Sequence, residues 1–97
     1  MRTQVATTCL GMGHALLKGR MFDVCILDEA GQVTLPASLG PILQARTFCL
    51  VGDPHQLPPL VASRAAKEGG LDKSLFRCLS EAHPQVRATL ESFRACN

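Results

Sequence analysis

The chain has 97 residues, of which 46% are hydrophobic and 19% charged, and it carries a formal net charge of +2. This length allows one domain or a part of one, and the apolar content excludes a disordered tail. The ten basic residues are scattered and Trp and Tyr are absent, so neither a basic arm nor an aromatic platform for single-stranded bases is evident.

The cysteine pattern indicates a reducing compartment. The five cysteines form no C-x-x-C pair, and an odd, unpatterned count is typical of free, buried thiols rather than of a disulfide framework. No apolar run reaches membrane-spanning length, and no signal peptide is visible. We therefore expect an intracellular protein with no membrane partner. The cysteines are Cys9, Cys25, Cys49, Cys78 and Cys96.

The first half of the chain predicts strands alternating with helical segments. Residues 4–8 are β-prone and predict a first strand, and residues 14–20 predict a short helical turn or loop. Residues 22–27 predict a second strand, whose nearly continuous apolar character favours burial on both faces. Thr34 is a candidate N-cap for a following helix, which Pro41 should kink or shorten. The apolar positions of that helix are Leu35, Leu39, Ile42 and Leu43.

The second half predicts one more strand and two short helices. Residues 47–51 predict a third strand, and the proline-rich residues 54–59 exclude regular structure. Helices are expected near residues 62–68 and 72–82, separated by two glycines. This order predicts an α/β fold, with a parallel sheet of about three strands, flanking helices and right-handed crossovers.

Two predicted strands end in acidic residues. Asp28 and Glu29 follow the second strand, and Gly52 and Asp53 follow the third. Because ligands bind at the carboxyl ends of strands in open α/β sheets, we expect both strand ends to meet at one site. Such a site suits a hydrated Mg²⁺ ion on a phosphate. Taken alone, the Asp-Glu pair is also compatible with a solvated strand end or a helix N-cap.

The loop after the third strand strengthens this interpretation. Gly52 permits a tight turn beside a ligand, and Gln56 offers both a donor and an acceptor. The prolines stiffen the loop, so that Gln56 loses little entropy on binding. The alternative is an ordinary proline-rich turn, and His55 is interpreted as a surface histidine.

Near the start of the chain, Thr7 and Thr8 offer two adjacent hydroxyls. These could donate to a nucleic-acid phosphate. The alternative is that they reflect only the β-propensity of threonine.

Together these motifs resemble a known family. The strings Asp28-Glu29-Ala30-Gly31-Gln32 and Gly52-Asp53-Pro54-His55-Gln56-Leu57-Pro58-Pro59 resemble motifs II and III of superfamily 1B helicases. Within that superfamily the chain is most similar to the helicase region of the eukaryotic DNA replication helicase/nucleases. The resemblance covers roughly residues 4–82 and implies a partial P-loop NTPase (RecA-like) lobe.

The resemblance also implies roles for individual residues. Asp28 would hold Mg²⁺, and Glu29 would activate water for attack on the γ-phosphate of ATP. Gln56, with Asp53 nearby, would sense the γ-phosphate and couple hydrolysis to the nucleic-acid path. Thr7 and Thr8 would contact the backbone of single-stranded DNA.

For the whole protein, the resemblance implies an ATP-dependent helicase, also a nuclease, that acts in DNA replication and repair. Its location would be the nucleus, with the mitochondrion as a second compartment. The nuclease domain of the family carries an iron–sulfur cluster, but the cysteines here lack cluster spacing. An RNA helicase of the same superfamily remains an alternative, because these motifs do not separate DNA from RNA.

The sequence departs from the family pattern in two respects. It lacks the G-x-x-x-x-G-K-[ST] loop that binds phosphates, and the family's Gln-Tyr-Arg stretch is absent, although Arg94 could occupy the place of its arginine. We therefore expect residues 1–85 to be a partial motor lobe and residues 86–97 a divergent tail. The isolated chain should not hydrolyse ATP. The alternative is a truncated, non-catalytic module that binds nucleic acid or a partner.

Overall fold

The structure, a computed structural model, describes residues 3–86. It is an α/β arrangement, which confirms the predicted fold class. Two strands, three α-helices and three 3₁₀ helices occur in the described range. The strands are β1 (Phe22–Leu27) and β2 (Ala45–Leu50); the α-helices are α1 (Leu35–Leu43), α2 (Arg64–Glu68) and α3 (Leu75–Ala82); the 3₁₀ helices are Leu10–Gly13, Ala30–Gln32 and Pro84–Val86.

The two strands form a parallel sheet. Phe22 pairs with Ala45 and Leu27 with Leu50, so the strands start and end at the same level. Helix α1 forms the crossover and contacts both strands. The predicted bounds of β1 are confirmed, whereas β2 begins two residues earlier and ends one residue earlier than the predicted 47–51. The parallel pairing sets the geometry of the candidate site, since it sends both strand ends to one edge.

The prediction of a first strand at residues 4–8 is wrong. These residues have no regular secondary structure, and the sheet described by the structure has two strands rather than about three. Thr8 Oγ1 accepts the backbone N–H of Gly11 at 3.0 Å, just before the first 3₁₀ helix. Local hydrogen bonds of this kind, from a backbone N–H to a threonine side chain, compete with the pairing of strands in a sheet.

The predicted burial of β1 on both faces is also wrong. Val24 is 56% exposed and Ile26 70% exposed, whereas Leu27, on the opposite face, is buried. The apolar pattern of β1 is typical of a strand that is buried on both faces. Among the described residues, however, only one face of β1 is covered.

The helices follow their capping residues more closely than the apolar patterns. Helix α1 starts after Thr34 and ends two residues after Pro41, in line with the predicted shortening. Two leucines of the predicted apolar stripe, Leu39 and Leu43, are exposed. Two residues outside that stripe, Ser38 and Pro41, are buried instead. The sequence interpretation missed the buried face of α1, which contains Ser38 and Pro41, because it expected only apolar side chains there. Ser38 can be buried since its hydroxyl donates a hydrogen bond to the Leu35 carbonyl at 2.7 Å.

Helices α2 and α3 are shorter than predicted, and serine side chains define where both begin. Ser63 Oγ accepts the N–H of Ala66 at 3.3 Å, and the buried Ser74 Oγ accepts the N–H of Arg77 at 3.1 Å. Side chains at such N-caps satisfy donors that a helix leaves unpaired in its first turn.

The four cysteines of the described range are free thiols, but the prediction that they are buried is wrong, since Cys49 is exposed and the other three are half-buried. Burial raises the pKa of the Cys25 thiol, and Cys9 adds to this effect. Cys49 is exposed, because it lies on the uncovered face of the sheet beside Ile26. Cys96 lies outside the described residues. No helix within residues 3–86 is both long and apolar enough to cross a membrane.

Candidate functional site

The two acidic strand ends leave the sheet side by side. Beyond the last paired residues, Val51 donates its N–H to the Leu27 carbonyl at 2.9 Å, and Ala30 donates to the Val51 carbonyl at 2.8 Å. These bonds extend the pairing past both strands, so the segments that start at Asp28 and Gly52 emerge at the same edge. We call this edge, comprising residues 28–32 and 52–56, the acidic rim. This geometry agrees with the expectation that the carboxyl ends of the two strands lie together at one edge of the sheet.

The backbone bends sharply within the first segment of the acidic rim. Glu29 has a φ of 53°, which places a non-glycine residue in the left-handed region, and its N–H donates to Asp28 Oδ1 at 2.8 Å. Such a conformation costs on the order of 1–3 kcal/mol and is concentrated at functional sites. Both carboxylates are exposed, so they are accessible to a ligand.

The second segment is shaped by Asp53. Its Oδ1 accepts the N–H of His55 at 2.8 Å, and its backbone carbonyl accepts the N–H of Gln56 at 3.2 Å. This Asx-type turn includes Pro54 and fixes the course of the loop at its start. Asp53 thus has a structural task that the sequence interpretation did not assign, and the exposed His55 contributes only its backbone to the turn.

Two glycines allow the segments to approach each other. A Cβ atom added at Gly52 would lie 3.1 Å from the Gly31 nitrogen and 3.4 Å from the ring of Phe76 in α3, and one added at Gly31 would lie 3.5 Å from the Asp53 carbonyl oxygen. A side chain at Gly52 would therefore require its neighbours to move. The sequence interpretation missed the role of Phe76 beneath the rim, although a glycine in each segment was a visible signal of close approach.

A hydrogen bond between side chains joins the two segments. Gln32 Nε2 donates to Gln56 Oε1 at 3.3 Å. Gln56 therefore lies against the segment that begins with Asp28 and Glu29, and Gln32 follows Glu29 by three residues. The sequence interpretation placed Gln56 at the site but gave Gln32 no role.

The acidic rim does not form a protein-only metal cage. Within residues 3–86, no group of three His, Cys, Asp or Glu side chains is placed to hold a metal ion. Mg²⁺ keeps several waters and binds one or two carboxylates together with substrate phosphates. The exposed carboxylate of Asp28 fits that mode, because it needs no further protein ligand beside it.

The threonines predicted to bind nucleic acid are grouped around Gly11. A Cβ atom at Gly11 would overlap Thr7 Oγ1 and would lie 3.1 Å from Thr8 Oγ1. Both threonines are exposed, and no hydrogen bond among residues 3–86 connects them to the acidic rim. They form a separate feature of the surface. Arg94, the candidate arginine, lies outside the described residues.

The family of the chain follows from comparison with known proteins. The AAA domain family matches residues 3–64, well over half of the sequence. The chain belongs to the AAA domain family. Within it, the chain is 60% identical over 93 residues to the DNA replication ATP-dependent helicase/nuclease JHS1 of Arabidopsis thaliana, a match that covers 95% of the chain.

Two further relatives carry the same description. The identity is 50% over 86 residues, or 89% of the chain, for the helicase/nuclease dna2 of Schizosaccharomyces pombe, and 49% over 77 residues, or 79% of the chain, for human DNA2. The predicted resemblance to DNA replication helicase/nucleases is confirmed. The chain spans only 6–7% of the length of these three relatives.

Proposed function

We propose that the acidic rim is the ATP-hydrolysis edge of a DNA helicase motor of the helicase/nuclease type. One observation carries the proposal: the parallel pairing of β1 and β2 brings Asp28, Glu29 and Gln56 to one edge of the sheet. The relatives are named ATP-dependent helicase/nucleases of DNA replication, which supports this choice among nucleotide hydrolases. By the same resemblance, the protein acts in DNA replication and repair in the nucleus, with the mitochondrion as a second compartment.

Hydrolysis requires a base that directs water and a donor that recognises the terminal phosphate. Glu29 is the proposed base, since its carboxylate is exposed on a sharply bent backbone. Gln56 is the proposed donor, because its loop is fixed by the Asp53 turn. When Mg²⁺ is bound, it neutralises phosphate charge, and Asp28 is the residue that would hold it.

The chain lacks one essential part of this chemistry. It has no G-x-x-x-x-G-K-[ST] loop, whose lysine reaches the β- and γ-phosphates. The proposal is therefore that the acidic rim works within a larger motor that supplies this loop. Single-stranded DNA is the proposed partner of Thr7 and Thr8. By the resemblance, an iron–sulfur cluster belongs to the nuclease domain of the family, and the proposal assigns it to no residue of this chain.

The proposal is tested in a chimera. Residues 3–86 replace the matching segment of full-length Arabidopsis JHS1, chosen for its 60% identity to the chain. ATP hydrolysis is measured with and without single-stranded DNA, and nucleotide binding is measured separately. The chimera should show DNA-stimulated hydrolysis. Glu29→Gln should lower turnover by at least about 100-fold while ATP binding stays within a few-fold, because a general base contributes about 10²–10⁴-fold.

The matched control is Glu68→Gln in α2. Glu68 is an exposed glutamate paired with Arg64 and lies outside the acidic rim, so this variant should keep full turnover. A Glu29→Gln chimera that hydrolyses ATP within a few-fold of the unmodified chimera would contradict the proposed base. A chimera with no hydrolysis that still binds DNA would favour the second candidate, a non-catalytic module that binds nucleic acid.

A further inference from the structure

We infer that Gln32 is a positioning residue, which fixes the side-chain amide of Gln56 so that its NH₂ group is presented to the terminal phosphate. The inference rests on the proposed function and deepens it. It adds a residue that never touches the nucleotide and acts only through Gln56.

The inference starts from the direction of the bond between the two glutamines. Gln32 Nε2 is the donor and Gln56 Oε1 the acceptor, at 3.3 Å. In a side-chain amide, one carbonyl oxygen and one NH₂ group with two N–H donors are attached to the same carbon. The oxygen points to one side of that carbon and the NH₂ group to the other. Once the oxygen of Gln56 is turned towards Gln32, its N–H donors are turned away from Gln32.

An anionic phosphate can accept hydrogen bonds but cannot donate them. A glutamine with its oxygen towards the phosphate would be repelled, whereas one with its NH₂ group there can donate. Both glutamines are exposed, and an exposed glutamine side chain would otherwise sample both orientations. The bond from Gln32 selects the orientation that suits a phosphate.

The surrounding backbone holds both partners in place. Gln32 ends the 3₁₀ helix that begins at Ala30, and its N–H donates to the Glu29 carbonyl at 3.0 Å. The N–H of Gln56 donates to the Asp53 carbonyl at 3.2 Å. The side-chain bond thus links the residue proposed to activate water with the residue proposed to sense the phosphate, through two short and fixed turns.

The test uses the JHS1 chimera and four variants: Gln32→Met, Gln56→Ala, the double variant, and Gln44→Met. Methionine has nearly the length of glutamine but has no N–H to donate. Gln44 is the matched control, since its amide also bonds another segment, the Leu17 carbonyl at 3.5 Å, outside the acidic rim. The readouts are kcat and KM for ATP with saturating single-stranded DNA, and the melting temperature.

Gln32→Met should lower kcat by roughly two- to ten-fold, the range that the loss of one hydrogen bond produces. KM and the melting temperature should remain close to those of the unmodified chimera. The double variant should be no slower than Gln56→Ala alone, because the effect of Gln32 passes through Gln56. Gln44→Met should leave kcat unchanged.

Three results would overturn the inference. The first is an unchanged kcat in Gln32→Met while Gln56→Ala is impaired. The second is a double variant whose loss equals the product of the two single losses. The third is a chimera that lacks hydrolysis altogether, which overturns the proposed function and this inference with it. The first two results leave the proposed function standing, so the two failures are distinguishable.

Discussion

Ala30 and Val51 are joined by a backbone hydrogen bond of 2.8 Å beyond the ends of both strands. This bond continues the parallel ladder into segments that are no longer strands. It keeps the turn after Asp28 against Gly52, just before the turn that Asp53 begins. The two segments are so close that a Cβ atom at Gly52 would lie 3.1 Å from the Gly31 nitrogen. The acidic rim is therefore a product of backbone pairing, and its side chains are added to a frame that the sheet already defines.

The close approach at Gly52 predicts a steric effect on stability. Gly52→Ala should lower the free energy of unfolding by about 1 kcal/mol, because its Cβ would lie 3.1 Å from the Gly31 nitrogen and against the Phe76 ring. Gly40→Ala is the control, since nothing lies within 4 Å of a Cβ there, and it should gain about 0.5–1 kcal/mol within α1. Urea denaturation of the chain measures both. Equal stability of the two variants would show that the segments are not in contact.

The position of Gln56 predicts an effect on coupling. In the chimera, Gln56→Ala should remove most of the stimulation of ATP hydrolysis by single-stranded DNA while leaving slow basal hydrolysis, because the phosphate sensor is lost and the base remains. His55→Ala is the control, since His55 contributes its backbone to the turn rather than its side chain. Steady-state assays with and without DNA check this. Unchanged stimulation in Gln56→Ala would refute the sensing role.

The threonines around Gly11 predict an effect on DNA affinity. Gly11→Ala should weaken binding of single-stranded DNA to the chimera, because the new Cβ must displace the Thr7 hydroxyl. Gly13→Ala should have no effect, as a Cβ there meets nothing within 4 Å. Fluorescence anisotropy at several salt concentrations measures the affinity and its electrostatic part. If both variants bind equally well, Thr7 and Thr8 do not contact the DNA backbone.

The uncovered sheet face predicts the behaviour of the isolated chain. Without a phosphate-binding loop, the purified 97-residue chain should show no ATP hydrolysis above background. It should also be sparingly soluble, and Ile26→Thr should raise its solubility, because Ile26 is 70% exposed among apolar neighbours. Soluble concentration after centrifugation and a phosphate-release assay test these expectations. Robust hydrolysis by the isolated chain would contradict the account of an incomplete motor.

The sequence predicts the frame of this site better than its covering and its contacts. The apolar run of β1 gives the strand bounds, and the rule that parallel strands end together brings Asp28 and Gly52 to one edge. The same run cannot show whether other elements cover Val24 and Ile26, which are exposed here. The sequence of a strand is the same whether or not the elements that pack on it are present. An apolar pattern thus predicts which faces of a strand favour burial, but it does not predict whether those faces are buried.

Other features depend on contacts that no local pattern encodes. Residues 4–8 have the β-propensity of a strand, but pairing requires a neighbouring strand, and Thr8 instead bonds Gly11. The bond from Gln32 to Gln56 spans 24 positions, and Phe76 reaches the acidic rim only because α3 packs there. Such long-range contacts appear only once the chain is folded.

The central claim is that Asp28, Glu29 and Gln56 handle a triphosphate at one edge of the sheet. Its most direct test is a crystal structure of the JHS1 chimera with Mg²⁺ and a non-hydrolysable ATP analogue. The account predicts the terminal phosphate within hydrogen-bonding distance of the Gln56 amide, with Mg²⁺ beside Asp28 and a water next to Glu29. A nucleotide bound away from residues 28–32 and 52–56, or Glu29 and Gln56 at opposite edges of the sheet, would contradict it.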